Sequence, residues 1–145
     1  MVSDKPDAFC EFAKDRGLHF SAKDVNAAPR DVTAAPDELE RYTLASLTAA
    51  DGADAIQMVF ITDQLDGRPL SMRDVLWWVA ADTWAVEQSG RDFARWAVLY
   101  RHAADSAAAS RMFQLHVKQA DALLTLLGES NYRALLTLYR TELGK

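Results

Sequence analysis

Few residues of this 145-residue chain have the types and spacing that chemistry requires. Three histidines, His19, His102 and His116, lie far apart and lack the local pairing usual for metal ligands. Cys10 is the single cysteine. A nucleophilic thiol needs a base and an electropositive setting, and Glu11 and Asp15 beside it work against that. It reads instead as a small buried hydrophobe between Phe9 and Phe12. Asp82 interrupts an apolar helical stretch. A buried carboxylate there could act as a general acid or base, could pair with Arg91 or Arg95 on the next helix, or could face solvent. The chain has no glycine-rich phosphate loop, no paired cysteines, no His-Glu-x-x-His and no Gly-x-Ser-x-Gly. No catalytic, cofactor or metal site is therefore expected. A small enzyme built from Asp82, His102 or His116 is kept as an alternative.

The more distinctive feature is aromatic. Four tryptophans, Trp77, Trp78, Trp84 and Trp96, fall within twenty residues. Trp84 and Trp96 have the periodicity of core positions. Trp77 and Trp78 are adjacent, so on one helix they point about 100° apart. Covering both would take a wide arc of neighbours, which makes one of them a candidate anchor for a partner, since tryptophan is enriched at binding hot spots.

Charge supplies the second feature. The net charge is −5. Residues 1–93 carry nine Lys or Arg against seventeen Asp or Glu, a balance of −8, whereas residues 94–145 carry seven against four, a balance of +3. Such an acidic front disfavours a nucleic-acid backbone and suits a basic protein surface. The expected partner-binding set is Trp77 and Trp78 with Asp51, Asp54, Asp63 and Asp66.

The elements that must position these residues read as one α+β domain, 1–145, predominantly helical. A chain of this length hides roughly two thirds of its unfolded surface and needs no disulfide to fold. A short N-terminal helix has Pro6 in its first turn and Gly17 past its end. Residues 18–36 lack periodicity and read as a loop or wrapped segment, with a third strand as an alternative. Two β-rich runs around Asp51-Gly52 predict a hairpin over about 41–62. Four helices follow. The first, to about Gln88, is capped by Ser71 with Asp74 three residues on. The next starts after Asp92. A third runs from Asp105-Ser106 to about Leu127, with Phe113, Val117, Ala120, Leu124 and Leu127 inward. The last is capped by Ser130 or Asn131, with Tyr132, Leu135, Leu136 and Tyr139 inward. No apolar run is long enough for a membrane span, and the lone thiol fits a reducing, cytoplasmic setting.

Asp74-Val75-Leu76, Asp82, Phe93 with Trp96-Ala97, Asp105-Ser106, Leu123, Leu127-Gly128, Tyr132 and Leu135 together resemble a family of small uncharacterised proteins of bacteriophages and other mobile elements of bacteria. The resemblance covers about two thirds of the chain. It departs after Ser106, where Ala107, Ala108 and Ala109 replace a more polar stretch. Most of the matching positions are helix caps and core residues. The resemblance implies no known enzyme activity. By association it implies a non-catalytic accessory protein that binds a host protein with a basic surface, possible targets including CRISPR–Cas effectors. A homodimer or homo-oligomeric structural role is the remaining alternative.

Overall fold

The computed structural model describes residues 7–25, 42–49, 55–61, 70–101 and 103–145. The fold is α+β and predominantly helical, with element order α1 (Ala8–Asp15), β1 (His19–Val25), β2 (Tyr42–Thr48), β3 (Ala55–Ile61), α2 (Met72–Gln88), α3 (Phe93–Leu99), α4 (Ala107–Leu127) and α5 (Glu129–Leu143). The strands form an antiparallel sheet in the order β1-β2-β3.

The expected hairpin is β2–β3, with Thr48 opposite Ala55 and Tyr42 opposite Ile61. Alternation decides its inner face, because successive side chains of a strand point to opposite sides. Ala45 and Leu47 are buried, and so are their partners Met58 and Ile56. Within 18–36, read as a loop or wrapped segment with a third strand as the alternative, it is the strand that forms over the described residues. Residues His19–Val25 are β1, and Phe20 pairs with Leu47 and packs partly buried against the core. Residues 26–36 lie outside the described residues. Phe20 and Ala22 alternate with His19, Ser21 and Lys23, but the small Ala22 and the break at Asp24 keep the pattern short, and the strand is fixed by its ladder with β2.

Four of the five described helices start where the sequence offers a capping side chain. Asp7 accepts from the backbone N–H of Phe9 and Cys10, and its carboxylate also pairs with Arg73 of α2 at 2.5 Å. Ser71 and Asp74 form a reciprocal capping box. Asp92 and Ser106 cap α3 and α4. The expected cap of α5 needs correction. Gly128 alone separates α4 from α5, and Asn131 instead donates to the Leu127 carbonyl and accepts from Arg16 Nε at 2.9 Å. Asn131 thereby ties the end of α1 to the α4–α5 corner.

The core has two parts that share α2. In the larger, α1, the sheet, the first half of α2, α4 and α5 bury Phe9, Leu47, Leu76, Val79, Leu123 and Leu135. In the smaller, Ala85 and Val86 meet Trp96, Ala97, Ala109 and Ala120. Each fully buried Leu or Val contributes about 1.5–3 kcal/mol relative to exposure. On α4 the inward leucine is Leu123, fully buried, whereas Leu124 is 36 % exposed. The stripe drifts by one residue because 3.6 residues per turn carry the core face from Ala120 to Leu123 and Leu127.

Candidate functional site

Helix α2 sets the positions of the tryptophans. Trp77 turns inward and is partly buried, packing edge-on to Phe9 with ring centroids 5.8 Å apart and against Tyr139 at 4.9 Å. Its neighbour Trp78 points away and is 49 % exposed. Trp84 is partly buried, 6.2 Å from Tyr139. Trp96 on α3 is completely buried. Trp78 is thus the indole that remains open to a partner. Val98 and Leu99, at the end of α3, are also exposed. Asp51, Asp54, Asp63 and Asp66 lie outside the described residues, so the acidic part of the expected set has no placement here.

One turn after Trp78, a polar cluster crosses between helices. Tyr100, next to Leu99, donates its hydroxyl to Asp82 Oδ1 at 2.6 Å. His116 Nε2 on α4 lies 3.6 Å from Asp82 Oδ2, an ion pair when the imidazole is protonated. The Trp96 ring stacks on Tyr100, centroids 4.9 Å apart, and meets His116 edge-on at 5.5 Å. Asp82 and His116 are largely enclosed, with side chains 15 % and 11 % exposed. Burial pushes the Asp82 carboxyl above its ordinary value, while the charge of His116 and the bond from Tyr100 pull it back. Burial and the neighbouring carboxylate push the Tyr100 hydroxyl far above the ordinary phenol range. Tyr100 therefore stays a proton donor and holds the carboxylate in place.

Asp82 was expected to pair with Arg91 or Arg95 if it paired at all; it meets Tyr100 and His116 instead. Arg91 is engaged elsewhere, with Asp121 at 2.9 Å. His116 is buried. The signal that could have found this cluster was weak. Asp82 and His116 are 34 positions apart, and only the crossing of α2 with α4 makes them neighbours. His102 lies outside the described residues. Cys10 is exposed rather than buried. The helical phase of α1 turns Phe9, Phe12 and Ala13 inward and leaves position 10 outside. Its thiol is pushed above the ordinary value, first by partial burial and then by the Asp7 charge, which leaves it a poor nucleophile.

A groove of about 260 Å³ runs between α2 and α5, lined by Trp84, Glu87, Gln88, Arg133, Leu136, Thr137 and Arg140. It does not reach Asp82, Tyr100 or His116. Glu87 is its anionic group and is already occupied: Tyr132 donates to Oε1 at 2.5 Å, and Arg133 lies 3.5 Å from Oε2.

Among the described residues no group of three or more His, Cys, Asp or Glu could hold a metal ion, and no helix is long and apolar enough to cross a membrane. No family model, no curated protein and no solved structure matches this chain.

Proposed function

We propose that this protein is a non-catalytic binding protein that docks on a host protein with a basic surface, using Trp78 as its anchor. The observation that carries this reading is the contrast between adjacent indoles. Trp77 is spent on the core, while Trp78 is half exposed on a helix held rigid by a capping box and by packing on both sides. A rigid, amphipathic side chain on a fixed element is the kind of group that anchors an interface. The acidic balance of residues 1–93 supplies complementarity to a basic partner. An accessory role in a phage or mobile element, including inhibition of a defence system such as CRISPR–Cas, is supported by the sequence resemblance of the helical half alone.

The test compares two variants. Trp78→Ala should weaken a purified partner at least tenfold, by calorimetry, while leaving the unfolding midpoint nearly unchanged. Trp77→Ala should destabilise the fold. Equal partner affinity for Trp78→Ala and the parent would remove Trp78 from the interface. A plasmid-interference assay with and without the protein tests the inhibitor role separately; unchanged interference across CRISPR–Cas types would reject it.

The Asp82–His116–Tyr100 cluster favours one second reading, an enzyme with Asp82 as general acid or base. The groups are within proton-transfer reach, but their enclosure leaves little room for a substrate. Asp82→Asn separates the readings, because it would abolish such an activity and leave docking through Trp78 intact.

A further inference from the structure

The groove between α2 and α5 has an electrostatic character opposite to that of the chain as a whole. Arg133, Thr137 and Arg140 fall at i, i+4 and i+7 on the outer face of α5 and so line one wall together. Trp84, Glu87 and Gln88 line the other. Arg133 is 58 % exposed and touches Glu87 only at 3.5 Å, a long and exchangeable contact. Arg140 has no ion pair among the described residues; its guanidinium sits 5.4 Å from the centre of the Trp84 ring. A cation–π contact of that kind orients a guanidinium without neutralising it. The Trp84 indole N–H is buried and finds no acceptor among the described residues. Two arginine forks thus flank the groove against one carboxylate, Glu87, which also holds the Tyr132 hydroxyl and lies 3.9 Å from Arg91.

We propose that this groove binds the phosphate group of a small phosphorylated ligand. Arginine presents a planar fork of donors that matches carboxylate and phosphate alike. A carboxylate has only two oxygens and is satisfied by one fork. A phosphate offers three oxygens and about two charges, enough for Arg133 and Arg140 together with the Thr137 hydroxyl between them. Binding would draw Arg133 from Glu87, which keeps the Tyr132 hydroxyl and Arg91 at 3.9 Å. The Leu136 side chain and the Trp84 ring give the organic part of an ester an apolar wall. This site is separate from Trp78 and goes beyond the docking role.

The probes are inorganic phosphate, pyrophosphate, AMP and citrate, titrated by calorimetry at low and high salt. Pyrophosphate or AMP should bind at sub-millimolar concentration, more tightly than citrate, with affinity falling as salt rises. Arg140→Gln and Arg133→Gln should each weaken binding at least tenfold. Thr137→Glu, at an exposed position that should not disturb folding, should abolish it by placing a carboxylate between the forks. Arg111→Gln, on the exposed face of α4 and outside the groove, should change nothing. No heat from any phosphate probe at 5 mM, citrate binding as tightly as AMP, or an Arg111 effect equal to that of Arg140 would each overturn the proposal.

Discussion

Tyr100→Phe removes one oxygen and leaves everything else about Tyr100 in place. The ring keeps its stack on Trp96 at 4.9 Å and its contact with His116 at 5.4 Å. What disappears is the 2.6 Å bond to Asp82, a carboxylate on a side chain only 15 % exposed. A hydrogen bond to a charged group contributes about 1.5–3 kcal/mol, and loss of the donor also leaves a buried acceptor unsatisfied. For a domain of this size, that corresponds to a fall in melting temperature of about 5–12 °C. Urea unfolding followed by tryptophan fluorescence at pH 7 measures the change directly. The same substitution in an Asp82→Asn background should cost only about 0.5–1.5 kcal/mol, because a neutral acceptor makes a weaker bond. The cost of Tyr100→Phe should also grow with pH, as Asp82 loses its proton. A loss below about 0.5 kcal/mol, or one that is the same in both backgrounds, would refute the view that Tyr100 holds the Asp82 carboxylate.

Asp82→Asn isolates the carboxyl itself. Because burial raises the folded pKa of Asp82 above its unfolded value, the folded state holds this proton to higher pH. Asp82 then contributes most to stability below the unfolded value of 3.8, and that contribution is lost as pH rises through the folded value. Asparagine carries no such proton, so the stability of Asp82→Asn relative to the parent should increase from pH 3.5 to pH 8; a flat or falling difference in paired denaturation curves would contradict the sign. Gly128→Ala tests the α4–α5 corner. Gly128 has φ 78° and ψ 159°, a region essentially reserved for glycine, and an added Cβ would meet nothing within 4 Å. The cost is therefore backbone strain of about 1–3 kcal/mol without a clash, seen as a lower urea midpoint at unchanged slope. An unchanged midpoint would mean that the corner relaxes.

Much of the helical half was legible because local signals and the global fold agree there. Ser71 with Asp74, Asp92 and Ser106 cap where their side chains allow, and Leu76, Val79, Ala80 and Thr83 are all buried as their spacing demands. Three features escaped for different reasons. β1 carries only a short and weak alternation, Phe20 and Ala22, so it stood as the alternative to a loop until its ladder with β2 placed it. Cys10 lies between two buried phenylalanines in sequence, but helical phase and not chain proximity decides burial. The bond between Asp82 and Tyr100 and the approach of His116 depend on how α2, α3 and α4 cross, which no local spacing encodes. The tryptophan question was half legible. Adjacency required that the two indoles diverge, but which one faced outward waited on the placement of α1 and α5.

The exposure of Trp78 follows from where its neighbours stop. Positions 78 and 82 are four residues apart, so they share nearly the same face of α2. At 82 that face is closed: Tyr100 reaches it from the end of α3, and His116 reaches it from α4. At 78, one turn or about 5.4 Å nearer the N-terminus, half the indole remains open. The face about 100° away is closed along the same stretch, because Phe9 and Tyr139 hold Trp77. The smaller core takes only Ala85 and Val86 from the interior of α2 and does not extend back to Trp78, while the larger core already packs Trp77 and Trp84. Moving Trp78 inward would require α2 to rotate by about 100°, which would expel Trp77 and break the contacts of Asp82. The fold keeps Trp78 outside at a cost in exposed apolar area. A partner that adds one turn of cover to this face would recover that area without any rearrangement of the helices.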